Sequence, residues 1–386
     1  MRIFLSCLQA LRAHPVPSYG FWRHYFANAL AEAGHEVIET PGVDWAEGLL
    51  TLSPGERLAW ADRTWGPTVE FLRKEHARKK VDLFLGYLFP DQVEPGAVRA
   101  ISRMGIPTVN FFCDNVREFR DVPESYRNFD LHWVPEADAR KMYSRKGLSF
   151  IYAPMPMWVA PQFRSVPPDE NRDILFVGSH DVLREDLLGD AARMHLDFKI
   201  FGAGWTGQGG GQPAPRRSVF ETLGNQFAFV ERHGLRGLAM RATYSLRARK
   251  PSAWISSRAS DPIGGDAYFE ATRRAQVVLG INRCPGYRRP FADPIRYSRL
   301  RDVEAPMLGA CYLTEEAPGL GDLFDLGKEI ETYRTAEELV SKAAQLAADP
   351  AKRMDMRKRG QSRALADHSI ARTLARISEQ LGLTAA

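Results

Sequence analysis

The chain has 386 residues, 44% hydrophobic and 26% charged, with 52 Lys and Arg against 47 Asp and Glu, so its formal charge is +5. That length fits two domains of ordinary size, and the composition excludes a fibrous or wholly disordered chain. The mild positive charge suits anionic small molecules such as nucleotide diphosphates, and does not by itself choose between these, a membrane surface and nucleic acid.

Elements follow in chain order. Ile3 to Leu8 reads as a buried strand, Phe21 to Ala33 as an amphipathic helix stopped by Gly34, and Glu36 to Glu39 as a second strand. Val69 to Lys79 is expected to be helical and Val81 to Gly86 a strand. Pro95 to Met104 follows as a helix, then Pro107 to Cys113 and Leu131 to Val134 as strands. The helix Ala137 to Lys146 and the strand Phe150 to Ala153 complete the first series. Strands alternating with helices imply parallel sheets covered on both faces. A proline-rich stretch, Pro154 to Pro168, is the natural linker. A second series then begins with the strand Asp173 to Gly178, the helix Leu183 to His195 and the strand Phe198 to Gly202. It resumes with the helix Tyr268 to Ala275, the strand Val277 to Ile281, the helix Arg299 to Met307 and the strand Ala310 to Leu313. Helices from Ala336 to about Leu381 close the chain.

The expected fold is therefore α/β, with two Rossmann-like domains at 1–160 and 161–366 and a C-terminal helix at 367–386 that packs back on the first domain. Ligands of such sheets sit beyond the carboxyl ends of the strands, which places the expected site in a cleft between two facing domains. Residues 207–258 break the alternation. Nine cations there, including Arg216, Arg217 and Arg236, face only Glu221 and Glu231, and the segment reads as a basic insertion. It either attracts an anionic lipid surface or acidic polymer, or is a solvated loop. No recognised module and little aromatic interleaving point to nucleic acid.

Cys7, Cys113, Cys284 and Cys311 form no CxxC pair and accompany no His cluster. Free buried thiols in a reducing compartment are expected, with no metal site. No apolar run approaches the roughly 20 residues of a membrane span. The apolar start lacks a cleavage site before Arg12 and His14. A cytoplasmic protein is expected, with membrane association through the insertion left open.

The richest motif is Arg301-Asp-Val-Glu304-Ala-Pro-Met-Leu-Gly309, followed by the buried strand. Arg296, Arg299 and Arg301 crowd a helix start, where free N–H groups and the dipole favour a diphosphate. Glu304, one turn in, is placed to accept from ribose hydroxyls. The competing reading is a surface Arg–Glu pair before a helix-ending glycine.

From Arg301 to His368 the chain resembles the CgeB-like glycosyltransferases, a branch similar to the retaining GT-B families. The matching pieces are RxxE before Gly309, Leu313-Thr, Pro318-Gly-Leu, Gly327-Lys-Glu329, Asp349-Pro350, Gly360 and His368. Phe-Val-Gly178-Ser, Phe201-Gly-Ala-Gly-Trp205 and Gly280-Ile-Asn282-Arg283 match in the expected order. The N-terminal half matches weakly, through Gly34-His35-Glu-Val37 and Asp114. The resemblance implies a GT-B fold and transfer of a sugar from a nucleotide-diphosphate donor to an acceptor hydroxyl. It puts Glu304 on the donor ribose, Gly178 near the phosphates, and Arg283, Arg296 or Arg301 on the leaving diphosphate. Asn282 falls in the same donor-binding set. No bound metal or separate cofactor is implied, because arginines and a helix dipole take that role. The acceptor, whether glycan, lipid-linked glycan, protein or small molecule, is not implied.

The chain departs from the pattern in three places. Arg296 stands where an EX7E motif ending at Glu304 has its first glutamate. Cys113-Asp114 replaces His-Asp, and His14-Pro-Val-Pro-Ser-Tyr-Gly20 lacks a glycine pair. Asp114, past a strand's carboxyl end, is a candidate general base; the competing reading is an Asp-Asn turn. His14 is a second candidate base against a plain surface histidine, and Asp91 a weaker one. Arg184 is placed either to reach phosphate or to lie in solvent, and Trp205 either to stack on a ligand or to pack. Two other functions fit the shape: a nucleotide-sugar epimerase and a non-catalytic binding protein.

Overall fold

The computed structural model describes residues 1–13, 19–50, 52–206, 234–246, 251–286 and 294–383. The chain forms two units, Met1–Val159 with Ala366–Ala386, and Ala160–Leu365.

The first unit carries a six-stranded sheet in the order β2-β1-β3-β4-β5-β6. The strands are β1 (Arg2–Ser6), β2 (Glu36–Ile38), β3 (Leu83–Tyr87), β4 (Thr108–Phe111), β5 (Leu131–Val134) and β6 (Phe150–Tyr152). All pairs are parallel. β1, β3, β4 and β5 are buried throughout, as a parallel sheet covered on both faces requires. The helix expected from Val69 is far longer, Pro54–Arg78. Ser53 accepts from the Glu56 N–H and Glu56 reaches back to the Ser53 N–H, a capping box with Pro54 at the first position. Pro67 lies inside this helix, and its helix-breaking reputation is what hides the N-terminal half in the sequence. The helix Ile370–Gln380 belongs to this unit, packing on the helix Tyr19–Glu32, with Arg376 Nη2 donating to the Tyr152 carbonyl at 2.8 Å.

The second unit has its own sheet, built from β7 (Ile174–Val177), β8 (Lys199–Phe201), β9 (Ala259–Ser260), β10 (Val277–Gly280), and, after a short antiparallel pair β11 (Arg283–Cys284) and β12 (Ile295–Arg296), β13 (Tyr312–Glu315) and β14 (Glu331–Tyr333). The order is β14-β13-β10-β7-β8-β9, all parallel. Read from β9, this is the 3-2-1-4-5-6 order of a doubly wound dinucleotide-type fold, whose strand order reverses between β7 and β10. A core of Phe176, Leu188, Ile200, Trp205, Leu279, Leu313 and Leu339 fills it. β9 lies directly after the stretch read as an insertion, so that stretch ends by rejoining the sheet. Two-residue and three-residue strands such as β9 and β14 carry too little periodicity to be read from sequence. Among the described residues, no helix is long and apolar enough to cross a membrane.

Candidate functional site

The reversal between β7 and β10 gathers the second unit's polar residues at the carboxyl edge of its sheet. After β7 the chain turns through Gly178 and Ser179. The Gly178 carbonyl accepts from Trp205 Nε1 at 2.7 Å, and a Cβ on Gly202 would stand only 1.9 Å from that carbonyl oxygen. Glycine at 202 is what lets the two strand exits approach. Trp205 is fully buried and edge-on to His180, so it packs and clamps Gly178. His180 Nε2 meets Glu185 Oε2 at 2.8 Å, and Glu185 Oε1 accepts from the Ser252 N–H and hydroxyl. Neither His180 nor Glu185 stands out in sequence, because no spacing motif links them.

Arg184 begins the helix Val182–Arg193, capped by Asp181. Its Nη1 donates to the Ser179 carbonyl at 2.9 Å. Burial first, and then the nearby Arg299 and Arg301 charges, push its proton affinity down to about 10. It stays charged at neutral pH, while the Arg299 guanidinium lies 4.9 Å over the Tyr297 ring and 3.4 Å from the Arg283 carbonyl.

The helix Leu300–Met307 starts at this edge. Asp302 reaches back to the Arg299 N–H at 2.9 Å and is fully buried, accepting also from Tyr312 Oη at 2.8 Å and Thr314 Oγ1 at 2.9 Å. Burial raises its pKa above the ordinary aspartate value. Arg301 Nη2 donates to the Val177 carbonyl at 3.3 Å and its guanidinium lies 4.5 Å over the Tyr268 ring. Glu304, one turn on, accepts from Tyr268 Oη at 2.5 Å and lies 3.3 Å from Arg301 Nη1. It is buried, at 4% exposure, which rules out the exposed Arg–Glu pair. Gly309 takes φ +74° where the helix stops, the left-handed cap expected of it.

Arg283 and Arg296 are placed differently from the expectation. Both clasp Glu315, a carboxylate with 0% exposure at the end of β13. Arg283 Nη2 and Arg296 Nε each approach Glu315 Oε1 at 2.7 Å, and the β11–β12 pair sets the two arginines opposite each other. One buried carboxylate therefore meets one of their two charges inside the fold. Asn282 is likewise buried, its Nδ2 donating to the Glu315 carbonyl at 2.8 Å and lying 3.3 Å from Asp302 and Thr314 oxygens. It ties strand ends together. Glu315 was missed because an isolated Glu after a strand has no signature.

In the first unit, Asp114 follows β4 and takes φ +70°, left-handed backbone at the start of the helical turn Asn115–Glu118. Next to it, Asn115 Nδ2 donates to the Phe112 carbonyl at 2.8 Å and to Glu136 Oε2 at 2.5 Å, while Tyr143 Oη donates to Asn115 Oδ1 at 2.9 Å. Cys113 is buried, 3.1 Å from Tyr87 Oη. Asp91 is exposed in a short turn after β3. A cavity of about 360 Å³ opens beside the ends of β1 and β2, lined by Gln9, Leu11, Arg23, Glu39 and Trp45. His14 lies outside the described residues. Among the described residues, no group of three His, Cys, Asp or Glu is arranged to hold a metal ion.

Two parallel α/β sheets, one of them in dinucleotide-type order with basic side chains collected at its carboxyl edge, give the chain the GT-B fold. The chain belongs to the Glycosyl transferase-like family, whose sequence profile matches residues 184–379, half of its length. Solved structures share the fold over the whole chain. A glycosyltransferase from Rickettsia africae is 10% identical with a TM-score of 0.60, covering 100% of this chain and 99% of that one. Sucrose-phosphate synthase from Thermosynechococcus elongatus is 15% identical with a TM-score of 0.55, covering 99% and 98%. Anabaena HepE, solved with UDP and glucose, is 13% identical with a TM-score of 0.51, covering 100% of both chains. No curated protein matches the sequence.

Proposed function

We propose that the protein transfers a hexosyl group from a nucleotide-diphosphate-sugar donor to an acceptor hydroxyl, as a CgeB-like branch of its family. The observation that carries this reading is that Arg184 and Arg301 donate to the Ser179 and Val177 carbonyls at the exit of β7, with Glu304 held one helical turn from Arg301. The donor diphosphate lies against these guanidiniums, which meet the charge that builds on the leaving group; this assigns to them the role a metal ion has elsewhere. Glu304 takes the ribose. HepE's UDP supports a nucleotide donor for a chain of this fold. Arg283, Arg296 and Asn282 act one layer back, through Glu315. In the first unit, Asp114 at the exit of β4 accepts the proton of the attacking hydroxyl.

The test is release of nucleoside diphosphate from a panel of nucleotide-sugars mixed with glycan, lipid-linked and small hydroxylic acceptors. Wild-type protein should release it, and Asp114→Asn should cut kcat roughly 10²- to 10⁴-fold with the donor KM unchanged. Donor isomerised without release would make the protein an epimerase. Binding without turnover would make it a non-catalytic relative.

Contact with an anionic membrane is favoured by one surface. Leu235 and Leu246, 74% and 65% exposed, sit eleven residues apart in the helical stretch 234–246, on one face, beside a cation-rich sequence. The protein should sediment with anionic vesicles at low salt, and Leu235→Ala/Leu246→Ala should lose most of that binding. Equal sedimentation with zwitterionic vesicles would count against the surface.

A further inference from the structure

Among the buried acids that the mechanism above does not use is Glu136. Glu136 follows β5, is 1% exposed, and no hydrogen-bond partner for its Oε1 is found among the described residues. Its other oxygen, Oε2, takes the Asn115 amide. Asn115 is held from three sides, by Glu136, by Tyr143 and through the Phe112 carbonyl at the exit of β4. Asp114, the residue before it, sits in left-handed backbone, which aspartate adopts more readily than most residues with a Cβ. The Asn115 contacts form a clamp on the side chain directly after Asp114, and Glu136, 1% exposed, is one of its three partners.

We propose that Glu136 is a positioning residue for Asp114: through Asn115 it holds the turn that presents the Asp114 carboxylate at the carboxyl edge of the first sheet. This rests on the reading of Asp114 as the base. The titratable groups that face Glu136 are Asp114 and Cys113 from the β4 exit and Tyr143 from the helix Arg140–Arg145. None of these is a cation. Burial, with a smaller push from Asp114 and against the opposing Asn115 amide, raises Glu136 to about 8, so it is protonated at neutral pH. Above that pH a second negative charge arises within the clamp.

The sign follows from linkage. A carboxyl whose folded pKa exceeds its unfolded value contributes stability in acid, and that contribution is lost as pH rises through about 8. Three variants separate the possibilities, read by UDP release from UDP-glucose, or from whichever nucleotide-sugar the wild type turns over fastest. Glu136→Gln keeps the shape and cannot ionise; the wild-type rate should fall near pH 8, and Glu136→Gln should keep kcat at pH 7 within about threefold and lose that fall. Glu136→Ala should lower kcat roughly ten- to hundredfold with donor KM unchanged. An alkaline fall identical in wild type and Glu136→Gln, or normal kcat in Glu136→Ala, overturns the proposal. Thermal unfolding at pH 6 and pH 9 supplies a readout independent of catalysis: the loss of melting temperature should be smaller in Glu136→Gln than in wild type. If Asp114→Asn retains full kcat while that stability difference is present, the base assignment fails and the clamp stands; equal losses in both proteins refute the clamp itself.

Discussion

At the scale of single residues, the second unit divides its charge into two kinds. Arg283 and Arg296 share a fully buried Glu315, whereas Arg184 feels its neighbours Arg299 and Arg301 mainly as repulsion. Like charges held together in a half-buried setting cost stability, and proteins keep them where an anion offsets that cost. Glu315 is the opposite case. Removing one partner of a buried ion pair strands the other charges, so Glu315→Gln should destabilise the second unit by about 3–5 kcal/mol. Urea denaturation of wild type and variant measures it; a loss below about 1 kcal/mol would mean the two arginines reach solvent instead of depending on Glu315. None of this was readable from spacing. The sequence shows five arginines close together or in order; Arg301 is met by Glu304 on its own helix, while Arg283 and Arg296 depend on a carboxylate contributed by a different strand.

At the scale of elements, the legible parts were those with strong periodicity or punctuation. The buried strands β1, β3, β4 and β10 and the helix Leu300–Met307 with its Gly309 stop were all visible. The first half of Pro54–Arg78 was hidden by an internal proline, and β9, β11, β12 and β14 by their length. Glu304 and Arg301 were legible as a helical-turn pair because residues three apart share a helix face. What spacing did not show was Tyr268, thirty-six residues upstream, whose hydroxyl completes the setting of Glu304. The Glu136–Asn115 pair was invisible for the same reason: two strand exits meet only once β4 and β5 are neighbours in the sheet.

At the scale of the whole molecule, each unit repeats one arrangement. A parallel sheet buries its strands and carries polar side chains at their carboxyl ends. Family membership rests on residues 184–379, which span the edge formed by Arg184, Arg299, Arg301 and Glu304. The first unit carries Asp114 and the cavity beside β1 and β2, outside that span. The claim on which the account turns is that this basic edge of the second unit holds a nucleoside diphosphate. Calorimetric titration with UDP, ADP, GDP and dTDP tests it most directly, using wild type, Arg184→Ala and Glu304→Ala. The account predicts one diphosphate bound more tightly than its nucleoside, and a loss of roughly 1.5–3 kcal/mol of binding energy in each variant. Diphosphate affinity unchanged in both variants would contradict it.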